Sequence, residues 1–128
     1  MKCLSLRQPY AELVVTGKKT IEIRSWNTKF RGEFLIHASK KIDKEACEKK
    51  KMNPNSLIIG AVLGKANLYD VKFYKNRNSF LLDKHKHLAE IKFTRPKYGF
   101  LIKKASKFRL PLLISGKLGF FEVPMKRS

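Results

Sequence analysis

Alternating apolar and polar positions predict a strand over Lys19–Trp26, in the most unusual stretch of the chain. In an extended strand, side chains two positions apart share a face, so Ile21 and Ile23 lie together and are expected to pack on a core. Glu22 and Arg24 share the opposite face. There the acid can hold the guanidinium in place for a planar anion or a base edge. An ordinary exposed ion pair, which stabilises a protein by only ~0–1 kcal/mol, is the alternative.

Other segments with alternation or short apolar runs predict further strands. These segments are residues 2–6, 32–39, 57–68, 98–108, 110–114 and 120–123. Helical spacing predicts one helix that begins at Pro9 and ends before Gly17, and a second over Asp43–Lys51 with Asp43 as its cap. Because strands and helices do not alternate regularly, the pattern predicts an α+β fold. We expect a curved or closed sheet of about five to seven strands, flanked by two or more helices.

Two stretches interrupt the regular pattern. Residues 76–96 are rich in Lys and Arg and have no clear period, so we expect a mobile basic lid there. The loop at residues 115–119 contains two glycines, which allow backbone conformations with positive φ. No linker or internal repeat is visible in the 128 residues, and we expect a single domain over 1–128.

The charge balance points to a polyanionic partner. The chain has 29 Lys and Arg residues against 10 Asp and Glu residues, a formal net charge of +19. A positive field of this size attracts polyanions and speeds their capture, which favours nucleic acid as the partner. Lys-rich surfaces also reflect genome composition or a hot habitat, so the charge alone leaves that alternative open. The hydrophobic content of 43% argues against disorder.

Several other function classes lack their sequence signatures. Cys3 and Cys47 stand apart from any Cys or His cluster, and we expect them to be reduced in a cytoplasmic protein. His85 and His87 have no further ligands nearby, so we expect a solvated loop there, with no metal and no other cofactor. No apolar run has the length of a membrane span or a signal peptide, and no phosphate-binding glycine loop is present.

Five segments together carry a recognisable combination of residues. They are L-S-L-R-Q-P-Y-A at 4–11, G-K-K-T-I-E-I-R-S-W-N-T-K-F-R-G at 17–32, L-I-H-A-S-K at 35–40, Y-G-F-L-I at 98–102 and G-K-L-G-F-F-E-V at 116–123. In this order they resemble the ASCH (activating-signal-cointegrator homology) domain. The family signature G-x-K-x-x-E-x-R falls on Gly17, Lys19, Glu22 and Arg24. The resemblance implies a PUA-like β-barrel flanked by helices, a cleft lined by the signature residues, and binding of RNA or DNA.

The resemblance also implies an enzymatic alternative, because families of this type include small amidohydrolases that remove the acetyl group from N4-acetylcytidine. Those enzymes use a Lys, a Thr three residues later and a distant Glu. Lys19 matches the Lys, but Glu22 stands where the Thr would be. A carboxylate there favours the ammonium form of Lys19 over a nucleophilic amine. We therefore rank catalysis by Lys19 and Glu22, on modified cytidine or as a ribonuclease, below binding. A protein-interaction module of the translation or transcription machinery is a third hypothesis.

The leading hypothesis is a basic cleft that binds RNA or single-stranded nucleic acid, ahead of duplex DNA. Lysines and arginines would neutralise phosphates or read base edges, and Trp26 and Tyr98 would stack on unpaired bases. A place for Trp26 in the core is the alternative. His37 is expected to form hydrogen bonds at the floor of the cleft. The full set of candidate contact residues is Arg7, Gln8, Lys18, Lys19, Glu22, Arg24, Ser25, Trp26, Lys29, Arg31, His37, Ser39 and Tyr98.

Overall fold

The computed structural model describes residues 1–124 and shows a mixed six-stranded sheet with short helices packed against it. The strands are β1 (Lys2–Gln8), β2 (Ile21–Arg24), β3 (Gly32–Ile42), β4 (Ala61–Tyr74), β5 (Lys97–Leu113) and β6 (Phe120–Glu122). The helices are α1 (Tyr10–Val15), α2 (Lys44–Lys49), α3 (Arg77–Leu82) and α4 (Lys84–His87), with a 3-10 turn at Pro54–Ser56. The predicted α+β class is confirmed.

The sheet curls back on itself without closing. Its strand order is β2-β5-β4-β3-β1-β6, and every neighbouring pair is antiparallel except β1 and β3. Trp26, which follows β2, nevertheless packs 6.0 Å from Phe120 of β6, measured between ring centroids. The two ends of the order are therefore close in space. Within residues 1–124 the edge strands β2 and β6 are not paired with each other, so the sheet is an open, barrel-like curve.

The main core lies between the curved sheet and α1. Leu4, Phe34 and Phe100 of the sheet are fully buried there, as is Val14 of α1. The helix forms as predicted, because its apolar side chains recur at helical spacing and face this core. Gly17 then ends it with a φ of +80°, a conformation that glycine adopts without steric cost.

A smaller core lies on the other side of β2 and contains Ile21, Tyr74 and Phe80, with Ile23 packed against it. The predicted burial is therefore confirmed for Ile21, whereas Ile23 is only partly buried. Because Ile21 is held on this side, Glu22 and Arg24 are directed to the opposite side of the strand. This alternation positions the candidate site.

Several predicted strand boundaries were wrong. The strand predicted over 19–26 contains only four residues, because β2 pairs with just Tyr98 to Leu101 of β5. The strand predicted over 57–68 begins at Ala61, after Gly60 with a φ of +67°, and continues to Tyr74. Residues 98–108 and 110–114, predicted as two strands, lie largely in the single strand β5, which pairs with β4 along its length.

Residues 76–96, predicted as a mobile basic lid, contain α3 and α4. Phe80 and His87 are buried at 1% and 0% exposure, so the segment is anchored in the smaller core. His87 is therefore not in a solvated loop: its Nε2–H donates to the Phe80 carbonyl at 2.8 Å, and its Nδ1 accepts from the Ala89 amide at 3.0 Å. Burial lowers the pKa of His87. The mobility of the segment stays a prediction.

Candidate nucleic-acid interface

A cleft of about 830 Å³ opens beside β1, β2 and β3, and the loop at residues 115–119 forms part of its wall. The predicted contact residues that line it are Arg7, Glu22, Arg24, Ser25, Trp26, His37 and Ser39. The cleft residues that the sequence hypothesis missed are Ser5, Tyr10, Ile23, Lys40, Lys41, Gly60, Ile91, Lys97, Ser115, Gly116, Lys117, Leu118 and Gly119. The site thus combines the predicted β2 motif with segments that are distant in sequence.

Glu22 holds the guanidinium of Arg24 in a fixed position. Arg24 Nε and Nη2 lie 3.0 and 2.9 Å from Glu22 Oε2. Nη2 also donates to the backbone carbonyl of Ser5 at 2.9 Å. The remaining nitrogen, Nη1, has no hydrogen-bond partner within residues 1–124 and is left to donate to a ligand. An oriented guanidinium of this kind suits a phosphate or a base edge.

Lys19 lies behind the wall of the cleft and does not line it. Its side chain is 2% exposed, and its Nζ is 3.4 Å from Glu22 Oε1. The same ammonium donates to the His87 carbonyl and lies 5.2 Å from the centre of the Tyr10 ring. Burial lowers the pKa of Lys19, and the attraction of Glu22 partly opposes that change. Lys19 is therefore connected to the cleft through its ion pair with Glu22.

Gln8, another predicted contact residue, does not line the cleft. It is fully buried, its Nε2 donates to the Ile58 carbonyl at 2.8 Å, and its Oε1 accepts from the Glu12 amide at 3.0 Å. Both ends of the side chain are thus occupied by the backbone. Three further predicted contact residues, all exposed and all outside the cleft, are Lys18, Lys29 and Arg31.

Trp26 belongs to the core and to the cleft at once. One part of its ring packs edge-on against Phe100 at 5.2 Å, and the half-buried side chain also lines the cleft. The Arg24 guanidinium lies 5.9 Å from the ring centroid, within cation–π range. Trp26 therefore contributes to the core, as one sequence alternative held, while its stacking on a base stays a prediction.

His37 fixes the floor of the cleft to the loop that covers it. The ring is 1% exposed, and its Nε2 lies 2.7 Å from the Ile114 carbonyl. A carbonyl only accepts, so Nε2 carries the proton, and in the neutral ring Nδ1 accepts from the Ser5 hydroxyl at 2.8 Å. Gly116 packs against this pair, since a Cβ there would lie 2.9 Å from Ser5 Oγ. The predicted hydrogen-bonding role of His37 is confirmed.

The rim of the cleft is strongly cationic. Its basic residues are Arg7, Lys40, Lys41, Lys97 and Lys117. None of them forms an ion pair with an acid in the part of the chain that the structure describes. Glu22 is the one acid among the described lining residues, and it is already paired with two cations. The lining of the cleft thus carries an excess of positive charge, which attracts anions.

A cluster of metal-binding side chains and a membrane-spanning helix are both absent from residues 1–124. His, Cys, Asp and Glu side chains do not gather there in a group of three or more that could hold a metal ion. No helix in that range is both long and apolar enough to cross a bilayer.

Comparison with known proteins identifies the family. Residues 4–108 match the family model of the ASCH domain. A stretch of 39 residues is 51% identical to "Activating signal cointegrator 1" of Homo sapiens, covering 30% of this chain and 7% of that protein, and the Mus musculus protein matches equally.

The fold is similar to the crystal structure of ASCH from Zymomonas mobilis, with a TM-score of 0.63 and 18% identity over 88% of this chain and 72% of that one. The S128A mutant of that protein gives a TM-score of 0.60 at 19% identity, over 88% and 73%. At such identities the likeness concerns the fold alone. Since the family model spans most of the sequence, this chain belongs to the ASCH domain family and has its PUA-like fold.

Proposed function

We propose that this protein binds single-stranded nucleic acid, with RNA as the preferred ligand, in the basic cleft. One observation carries the proposal. Five cations at the rim of the cleft have no acidic partner in the described part of the chain, while Glu22, the one acid among the described lining residues, is paired with Lys19 and Arg24. A phosphodiester chain supplies the negative charges that such a rim attracts. Membership of the ASCH family supports the same class of ligand.

The size of the cleft favours an unpaired base over a duplex. A space of about 830 Å³ accepts a splayed-out base, whereas a duplex presents only its backbone and groove edges. Trp26 offers a ring for stacking, and Arg24 Nη1 offers a donor for a base edge or a phosphate. The base therefore enters beside β2, and the adjoining phosphates lie along the cationic rim.

Because Lys19 is buried, we rank nucleic-acid binding above amide hydrolysis as the function of the cleft. A nucleophilic amine has to reach the substrate, but Lys19 lies behind the cleft wall and is paired with Glu22. Burial favours the neutral amine, yet it also removes that amine from the cleft. The family-type enzymatic reaction would require a rearrangement of this buried cluster.

The first prediction compares single-stranded and duplex RNA. We expect a 12-nucleotide oligouridylate to bind at least tenfold more tightly than a duplex of equal length and to change the fluorescence of Trp26, the only tryptophan. Fluorescence titration and anisotropy measure both effects. Equal affinity for the duplex, without a change in Trp26 emission, would exclude the cleft as the binding site.

The same preparation is then incubated with N4-acetylcytidine, and we expect no turnover. Robust hydrolysis would contradict this expectation if its rate increased with pH and if Lys19→Ala abolished it. Catalysis, and not binding, would then be the main function.

A further inference from the structure

Two aromatic rings lie together just outside the cleft. Phe73 of β4 and Tyr98 of β5 pack with their ring centroids 5.1 Å apart and their planes tilted by 43°. Phe73 is 50% exposed, whereas Phe34, Phe80 and Phe100 are at most 1% exposed. The sheet therefore presents an apolar ring to solvent at this point. Tyr98, a predicted contact residue, does not line the cleft itself.

Strand register connects this pair to the cleft. Arg24 of β2 lies directly opposite Tyr98, and Tyr98 lies directly opposite Phe73. Directly opposed residues of antiparallel strands direct their side chains to the same face of a sheet. The three residues thus form one row that spans two strand spacings, about 10 Å. The row begins at a guanidinium in the cleft wall and ends at the exposed Phe73 ring.

Basic residues near the Phe73 and Tyr98 rings extend the cationic rim of the cleft. Lys97 lines the cleft and directly precedes Tyr98 in the chain, and the exposed Lys75 and Arg95 flank the two strands. None of these three cations pairs with an acid in the range 1–124. Asp83 is buried and accepts hydrogen bonds from Lys72 and Tyr74, the two residues that flank Phe73 in the chain and point to the other face of β4.

We propose that Phe73 and Tyr98 form a second base-stacking platform, which binds the nucleotide next to the one held in the cleft. This inference rests on the proposed function and extends it from one base to a short single strand. Aromatic faces combined with unpaired cations are the combination that single-stranded nucleic acid requires. Because every base has a stackable face, the platform adds affinity and dependence on strand length rather than base specificity.

Tyr69 provides a matched control on the same strand. It is 47% exposed, close to the value for Phe73, but Lys103 Nζ already lies over its ring at 4.9 Å. Its register places it outside the row formed by Arg24, Tyr98 and Phe73. Loss of the Tyr69 ring therefore removes a comparable exposed aromatic group without touching the platform.

The second prediction compares Phe73→Ala with Tyr69→Ala, using uridine monophosphate and the 12-nucleotide oligouridylate as probes. We expect Phe73→Ala to weaken binding of the 12-mer about tenfold and to leave monophosphate binding, followed by Trp26 fluorescence, unchanged. Tyr69→Ala should leave both unchanged. Phe73→Leu, which keeps an apolar side chain against Tyr98, should behave like Phe73→Ala, whereas Phe73→Tyr should retain wild-type affinity.

A 12-mer with abasic sites identifies what the platform holds. Wild type and Phe73→Ala should bind this probe equally, because no base is present to stack. If Phe73→Ala and Phe73→Leu bind the normal 12-mer as tightly as wild type while Trp26 still responds, the platform is disproved and the cleft proposal survives. If neither probe binds wild type or alters Trp26 emission, the proposed function itself fails and the platform fails with it.

Discussion

At the scale of single residues, Arg24 shows how neighbouring groups give one side chain a fixed direction. Its guanidinium is held by Glu22 at 2.9 and 3.0 Å and by the Ser5 carbonyl at 2.9 Å, and Glu22 is held in turn by the buried Lys19. A guanidinium fixed in this way loses little conformational freedom when it binds a ligand. Lys41 is different, because it is exposed and has a flexible stem.

The third prediction follows from this contrast. Arg24→Lys should weaken binding of the oligouridylate more than tenfold, since an ammonium cannot form the forked contact with Glu22 and still donate to the ligand. Lys41→Ala removes one replaceable charge and should cost about twofold. Anisotropy titration gives both constants, and thermal melting checks that each variant is folded. Equal losses would mean that Arg24 is one more cation of the rim.

At the scale of elements, local signals determine what the sequence could predict. Pro9 and Gly17 delimit α1, and Asp43 caps α2 through the Ala46 amide at 3.0 Å, so both helices were predicted close to their bounds. The two-residue period of β2 likewise predicted that Glu22 and Arg24 share the cleft side, although Ile23 and Ser25, predicted for the other face, also line the cleft. These features depend on neighbours in sequence, and sequence patterns report them directly.

Features that depend on distant pairing could not be predicted in the same way. The rim residue Lys97 and the loop at 115–119 join the cleft only through the curl of the sheet and the hydrogen bond from His37 to Ile114. Helix α4 contains only four residues, too few to show a helical period, and α3 has no flanking Pro and Gly of the kind that delimit α1. One overlooked signal was Asn76, whose side chain accepts from the Ser79 amide at 2.9 Å and caps α3.

The fourth prediction concerns the attachment of α3 and α4 to the sheet. The Asp83 carboxylate, 8% exposed, accepts hydrogen bonds from Tyr74 at 2.6 Å and from Lys72 at 2.7 Å. Burial alone would raise the pKa of Asp83, but the bonds from Lys72 and Tyr74 outweigh it and hold the pKa below its usual value. Asp83→Asn should therefore lower the free energy of unfolding at pH 7 by about 1.5–3 kcal/mol, measured by urea denaturation.

The pH dependence of that loss has a definite sign. A carboxylate whose pKa is lower in the folded state stabilises the fold above its unfolded pKa of about 3.9, and the contribution is lost as the pH falls through the folded pKa. The difference between wild type and Asp83→Asn should thus shrink between pH 4 and the acid limit of folding. Asp70→Asn is the control, because its carboxylate is 65% exposed and lies 3.7 Å from Arg31. A difference that persists unchanged in acid would contradict the assigned role of Asp83.

At the scale of the whole molecule, the net charge of +19 comes from basic residues that outnumber the acids. The basic residues without an acidic partner in the range 1–124 include the five at the rim of the cleft. Acids elsewhere pair with lysines: Glu90 lies 2.8 Å from Lys50 and 3.1 Å from Lys84, and Glu12 lies 2.8 Å from Lys107. A surface shaped only by genome composition or habitat would have no reason to leave the rim of this cleft without unpaired acids. The charge and the concave shape therefore support the same ligand class.

The fifth prediction separates a functional charge from a compositional one. Each phosphate contact with a single strand contributes a slope of about −0.7 to the dependence of log K on log salt, so five rim cations that each contact one phosphate give about −3 to −4. The double variant Lys40→Ala/Lys41→Ala should make the slope shallower by about 1.4. Lys18→Ala/Lys44→Ala removes the same charge from exposed positions outside the cleft and should leave the slope unchanged. If both double variants change the slope equally, the oligouridylate is held by the general field of the protein and the rim has no special role.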